Sequence, residues 1–321
     1  MGFLYSQFFK WLPYPTDSYH GKTVVITGSN TGLGKEAARH YVRLGASRLI
    51  IAVRNLDYGH EAKHNIEATT KCAPDVIQVW QLDMSSYASV QKFAARVNKE
   101  LDRVDIFHAN AGCAKAKYTT TEDNETQITV NVVATFLLTF LVLPKLKETA
   151  TKHKIRPTLS ITSSNAYQHT TFPQRTAPEG QLFATINDKE TAEKHWAEQY
   201  PLSKLLEIFI VRSFAENYPA GTFPVNVNCV SPGLCHSGLA RETSSIGFTL
   251  FKLVIARSTE VGSRTLVHAG SSGRESHGKY LEDAAVEEPT KLVTGNKDAQ
   301  DRLWAELVAK LKGIKSDVME F

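Results

Sequence analysis

The chain has only four cysteines in 321 residues, and none of them (Cys72, Cys113, Cys229, Cys235) falls into a C-x-x-C pair. This spacing offers neither a zinc ribbon nor a disulfide framework, and it fits a reducing compartment inside the cell. Dense runs of one charge are missing as well. The net charge of +4 is small, and no basic stretch is concentrated enough for a nucleic-acid footprint. Internal repeats, low-complexity tracts and a dividing linker are also missing, so a single domain is expected. The uncharged apolar segment Ile128 to Leu143 falls short of the roughly 20 residues that a membrane span needs. It contains Asn131 and several threonines and meets Pro144. It reads as a helix that stops at the proline, buried against a sheet and against a second subunit in a homodimer. No integral membrane span is expected.

Met1 to Tyr14 lacks the basic start, long apolar stretch and small-residue cleavage site of a secretory signal. The sequence therefore implies a cytoplasmic chain whose Asn124-Glu125-Thr126 glycosylation sequon goes unused. The aromatic residues of this segment leave two readings open. One is a flap, residues 1–20, packed on the domain formed by residues 21–321; the other is a peripheral membrane anchor made by the first 14 residues.

Hydrophobic residues make up 42% and charged residues 22%, enough for a sizeable core. Short β-branched runs alternate with helical patterns. Lys22–Ile26, Arg48–Val53, Val76–Trp80, Val104–Phe107, Thr158–Thr162 and Val225–Val230 read as strands, and Gly278–Leu281 as a last strand at the edge. The pattern predicts an α/β fold, a Rossmann-type doubly wound parallel sheet of about seven strands with helices on both faces. Ligands of such sheets lie beyond the carboxyl ends of the strands, and the chemical signals fall there.

The first of these signals is Thr27-Gly28-Ser29-Asn30-Thr31-Gly32-Leu33-Gly34, between the first strand and a helical pattern that ends at Gly45. Glycines let a phosphate come close, and the backbone N–H groups around Asn30 and Leu33 point at it from a helix N-terminus. Arg54 stands 20 positions after Gly34, at the end of the second strand. An acid there would bind the adenosine ribose of NAD, whereas an arginine grips a 2′-phosphate, so NADP(H) is the expected cofactor unless Arg54 is a solvated surface residue. Asp83, after the third strand, has two readings, a partner for the adenine amino group and a helix N-cap.

Tyr200 and Lys204 stand four apart in Tyr-Pro-Leu-Ser-Lys, on one face of a helix that Leu205, Leu206, Phe209, Ile210 and Phe214 anchor in the core. A phenol near pKa 10 is a poor acid-base group at neutral pH, and a neighbouring ammonium favours its ionised form. Ser163-Ser164 ends the fifth strand, where a hydroxyl can donate to a carbonyl oxygen. Asn131 is an amide inside an apolar helix and needs partners.

Gly28, Gly32 and Gly34 in G-x-x-x-G-x-G, with Asn110-Ala111-Gly112, Asn131, Ser164, Tyr200 and Lys204, resemble the motif set of the short-chain dehydrogenase/reductase family over nearly the whole chain. In detail the sequence is similar to the retinol-dehydrogenase-like and WW-domain-oxidoreductase-like branch, without WW domains. The Trp304-Ala305-Glu306-Leu307-Val308 tail and aromatic N-terminus resemble fungal members of secondary metabolism. The resemblance implies Tyr200 as general acid or base, with Lys204 lowering its pKa and holding the nicotinamide ribose. It also implies Ser164 polarising the carbonyl and Asn131 supporting a water-borne proton relay. Pro232-Gly233-Leu234-Cys235-His236-Ser237 is similar to the family's P-G-x-V-x-T turn, so Pro232, Gly233, Cys235 and Ser237 are expected at the nicotinamide amide.

The sequence also departs from the family pattern. Ala109 replaces an asparagine, and Ser164 to Tyr200 is 36 residues, longer than in short members. The excess, 172–196, and the segment 238–257 are expected to wall a pocket for a bulky, partly apolar substrate. His60-Glu61-Ala62-Lys63-His64 spells H-E-x-x-H without a third ligand, so no metal is expected. The implied function is an NADPH-dependent carbonyl reductase or alcohol dehydrogenase acting on a small molecule. The rival from another class is a non-catalytic NADP-binding scaffold or sensor.

Overall fold

The β-branched runs pair into one sheet. In the computed structural model, which describes residues 3–236, 238–240 and 255–321, the strands are β1 (Thr23–Thr27), β2 (Arg48–Val53), β3 (Ile77–Gln81) and β4 (Ile106–Ala109). A two-stranded ribbon, β5 (Thr120–Thr121) and β6 (Asn124–Glu125), stands apart. The sheet continues with β7 (Thr158–Thr162), β8 (Asn226–Ser231), β9 (Tyr280–Glu282) and β10 (Ala285–Glu287). Its order is β10-β9-β8-β7-β4-β1-β2-β3, parallel except for β10. The strand expected at the edge is therefore second from it. Asp283 and Ala284, both left-handed at φ 52° and 57°, turn the chain back in two residues and add β10.

Alternate residues of β1 face different layers, which is why the run is apolar throughout. Val25 packs with the helices Tyr87–Glu100, Ala134–His153 and Trp196–Asn217, whereas Val24 and Ile26 pack with Gly32–Arg43 and Thr259–Ser271. From β1 the chain winds outward to β3, returns to β4, and winds the other way to β9. The reversal leaves a crevice above the carboxyl ends of β1 and β4, the switch point of a doubly wound sheet.

The uncharged stretch is helical, beginning as a π-helix, Ile128–Val133, that passes into Ala134–His153. It does not stop at Pro144, as the sequence suggested, but runs through it to His153. A proline inside a helix leaves the carbonyl four residues back, that of Phe140, without its helical donor, and beside it the Asn98 side chain donates to the Leu141 carbonyl at 2.9 Å. The stretch is long and apolar enough to cross a membrane, yet 83% of its apolar window is buried. The chain's own C-terminus covers it, with Phe321 and Trp304 rings at 5.9 and 6.0 Å from Phe140.

The N-terminal helix Phe3–Phe9 exposes Tyr5, Phe8 and Phe9, with Trp11 exposed after it, but several side chains tie the segment down. Gln7 donates to the Leu234 carbonyl at 3.0 Å, Arg257 to Ser6 O at 2.6 Å, and Arg264 to Leu12 O at 2.8 Å. Tyr14 lies under the Arg43 and Arg264 guanidiniums, 4.3 and 5.1 Å from its centroid.

Replacing Asn98 with alanine removes its bond to the Leu141 carbonyl beside the proline. Stability should fall by about 1 kcal/mol, read as a lower urea midpoint at unchanged slope.

Candidate active site

Gly28 and Gly32 carry φ of 65° and 60°, a conformation that glycine adopts without strain. A Cβ on Gly28 would come within 2.9 Å of Ala111 Cα, and one on Gly34 within 2.7 Å of the Gly28 carbonyl. The loop is thus a cradle that side chains would fill. The helix Gly32–Arg43 that follows has no side-chain cap and no acid in its first turn. By contrast, Asn55, Ser86 and Ser258 cap the helices beginning at Leu56, Tyr87 and Thr259. Free N–H groups at a positive helix end, under a glycine cradle, suit the pyrophosphate of a dinucleotide.

Asn30 and Leu33 are half-buried in this loop. The Thr27 hydroxyl accepts from the N–H groups of Asn110 and Ala111, both at 2.9 Å, and the Asn110 side chain donates to the Thr27 carbonyl at 2.9 Å. Asn110 thus fastens β4 to the loop, and Gly112 follows it, exposed, into the crevice. Arg54 is exposed immediately after β2. Asp83 is half-buried after β3, and its Oδ1 accepts from the Ser85 N–H and hydroxyl at 2.9 and 2.6 Å. Ser86, not Asp83, caps the next helix.

The helix Trp196–Asn217 carries Tyr200 half-buried and Lys204 buried, with the Lys204 ammonium 5.8 Å from the Tyr200 ring centroid. Ser164 and Ser163, after β7, separate by environment. Ser163 is buried and donates to the Lys204 carbonyl at 3.0 Å, whereas Ser164 is half-buried beside the Tyr200 phenol and caps a short 3-10 helix, its hydroxyl accepting from the Ala166 N–H at 3.1 Å. Burial holds that phenol above its ordinary pKa, while the Lys204 charge and Ser164 pull it down. Asn131, inside the π-helix, is fully buried. Its amide exchanges two 2.9 Å bonds with the Cys113 backbone and donates to Ser203 Oγ at 3.0 Å.

The glycine cradle, the paired tyrosine and lysine and the flanking serine can be set against known proteins. The family model for short chain dehydrogenase matches residues 22–172. A short chain dehydrogenase/reductase, dmxR8, of Cryptosporiopsis sp. is 65% identical over 99% of both chains. The short chain dehydrogenase atnD of Emericella nidulans is 43% identical over 88% of this chain and 90% of its own length. The chain belongs to the short-chain dehydrogenase/reductase family. Its fold is also that of a Shigella flexneri short-chain dehydrogenase solved with NADP (TM-score 0.58, 21% identity, 84% of this chain and 100% of that one). A short-chain type dehydrogenase/reductase of Mycobacterium marinum is comparable (TM-score 0.61, 18% identity, 83% and 94%). This family of oxidoreductases uses nicotinamide cofactors on small molecules.

In this short-chain dehydrogenase/reductase the P-G-x turn packs at the far side of the crevice. Gly233 has φ 73°, and a Cβ there would meet Arg257 Nη1 at 2.9 Å. Pro232 and Cys235 are buried, and the Cys235 sulfur lies so close to Gly262 that a Cβ on that glycine would stand 2.3 Å from it. Ser237 lies outside the described residues, as does most of the expected 238–257 wall. The 172–196 excess is well tied. Glu306 accepts from the Leu182 and Phe183 N–H groups at 3.0 Å, and Tyr118 donates to the Asn187 carbonyl at 2.9 Å. It ends at Trp196, one turn before Tyr200 and edge-on to Tyr118 at 6.4 Å.

His60 and His64 are both exposed on the helix Leu56–Thr70. Among the described residues no group of three or more His, Cys, Asp or Glu could hold a metal.

Glu207 is the residue that sequence reasoning missed. It is buried and accepts from Lys204 Nζ at 2.7 Å. Its signal was present, a lone acid in the apolar run Leu205-Leu206-Glu207-Ile208-Phe209.

Gly34→Ala should weaken nicotinamide dinucleotide binding at least tenfold, about 1.4 kcal/mol, in a fluorescence titration. The far-ultraviolet circular dichroism of the sheet should stay unchanged.

Proposed function

We propose that this chain is an NADPH-dependent carbonyl reductase of the retinol-dehydrogenase-like branch, acting in the cytoplasm on a bulky, partly apolar ketone or aldehyde of fungal secondary metabolism. The observation that carries this reading is the convergence of Ser164, Tyr200 and Lys204 at the carboxyl ends of the strands, beside an uncapped glycine-rich helix start. Gly28, Asn30, Gly32, Leu33 and Gly34 would hold the pyrophosphate, Arg54 the 2′-phosphate and Asp83 the adenine. Asn110, Ala111 and Gly112 would form the floor, and Pro232, Gly233, Cys235 and Ser237 would face the nicotinamide amide. Bound NADPH supplies a hydride.

The protein's own part is proton transfer and positioning. Ser164 donates a hydrogen bond to the substrate oxygen and fixes it near the phenol. Tyr200 gives that oxygen its proton during reduction and takes it back during oxidation. Lys204 has three N–H donors, of which two go to the Thr162 carbonyl at 2.9 Å and to Glu207. The remaining donor is available to the nicotinamide ribose. Asn131 holds the Cys113 backbone and Ser203 around Lys204 and so shapes the path for a relay water. Trp196 and Tyr118 give the substrate side an aromatic wall, in keeping with a bulky partner. A homodimer is part of this reading, tested by light scattering, although the apolar helix that suggested it is covered within the chain.

Purified protein should bind NADPH at least tenfold more tightly than NADH, about 1.4 kcal/mol, by fluorescence titration. Equal affinities would remove Arg54 from its role. Tyr200→Phe should keep NADPH binding and lose turnover by about a thousandfold. A scaffold would retain its cellular activity with that substitution.

A further inference from the structure

The buried acid behind Lys204 has no place in the reaction as described so far. Glu207 lies one helical turn beyond Lys204, is 1% exposed, and receives the lysine ammonium on Oε1 at 2.7 Å. Its other oxygen, Oε2, is buried without a hydrogen-bond partner. A buried carboxylate with one oxygen left over is costly as an anion, and Oε2 is the natural position for a proton. The Ser163 hydroxyl, which donates to the Lys204 carbonyl at 3.0 Å, lies close to the same carboxyl.

We propose that Glu207 is a positioning residue that sets how much of the Lys204 charge reaches Tyr200. As a carboxylate it offsets the ammonium, and the phenol keeps its proton more firmly. As a neutral acid it leaves the ammonium uncompensated, and the phenol releases its proton more readily. The inference rests on the acid-base role given to Tyr200 above. Burial raises the Glu207 pKa to about 7, against the pull of Lys204 and Ser163, so the change of state falls in the neutral range. The other titratable groups around the pair are Tyr200 on the same helix, Cys113 after β4 and Cys229 on β8. Burial holds the Cys229 thiol neutral.

The test uses full-length protein labelled with 13C at the tyrosine ring carbon bearing the hydroxyl, the Tyr200 signal being the one lost in Tyr200→Phe. In the wild type that signal should show an extra inflection near pH 7. In Glu207→Gln the inflection should vanish, and the phenol's own midpoint should fall by about one pH unit. Glu207→Asp, which keeps the charge, should retain the inflection. The pH profile of NADPH-dependent reduction of a fused-ring aryl ketone should move with the same substitutions. A folded Glu207→Gln protein whose Tyr200 signal titrates like the wild type overturns the proposal. If Glu207→Gln does not fold, a wild-type signal without the inflection overturns it as well. Normal turnover of the ketone by Tyr200→Phe would sink the acid-base role of Tyr200 instead, leaving the coupling to be decided by the spectra.

Discussion

Two N–H groups and a side-chain amide converge on Thr27, and the crevice depends on that convergence. The Thr27 hydroxyl takes the N–H groups of Asn110 and Ala111, and Asn110 returns a bond to the Thr27 carbonyl. β1 and β4 are neighbours in the sheet but belong to opposite windings of the chain. Fixing their carboxyl ends together fixes where the glycine loop stands relative to the proton-transfer side of the site. Thr162 extends the same network to β7, its hydroxyl donating to Asn110 Oδ1 at 3.3 Å. Ser164 stands two residues beyond it. Two halves of a site that arise from distant parts of the chain are therefore held by a few hydrogen bonds, each buried or half-buried and so shielded from competing water.

The second dependence is electrostatic. Lys204 is buried, and an ammonium in that position is tolerated only because the Thr162 carbonyl and Glu207 surround it. The helix Trp196–Asn217 thus carries a phenol, its cationic neighbour and a balancing acid within two turns. Asn131 supports the same region from the π-helix. The wider backbone spacing there lets a polar side chain sit in an otherwise apolar layer, with both ends of its amide satisfied.

Much of this was legible in the residues. β1, β2 and β7 are short runs rich in β-branched residues, and the structure places them within one residue of the expected limits. The glycine loop was legible because its flanks, a strand before and a helix after, leave little conformational choice. Other features were hidden because they depend on distant partners. β10 is three residues closed by a turn without glycine or asparagine. Where the helix passes through Pro144, the neighbouring Leu141 carbonyl takes a bond from Asn98, 43 positions away. Asp83 offered two local roles, and contacts with Ser85 and Ser89 decided that the cap is Ser86. Glu207 was overlooked because the continuous apolar run around it absorbs one exception without changing its reading. That exception is where the chemistry sits.

The first residues of the chain make their bonds with some of its later ones. Ser6, Gln7 and Leu12 are gripped through Arg257, Leu234 and Arg264, more than 220 positions away. During synthesis the segment carrying Ser6, Gln7 and Leu12 therefore leaves the ribosome before the residues that hold it have been made. Its bonds need the turn after β8, Arg257 and the helix Thr259–Ser271 in place. Bonds that span 227 to 252 positions thus join this segment to the far part of the chain, and they form only after nearly all of the sheet's sequence has been made.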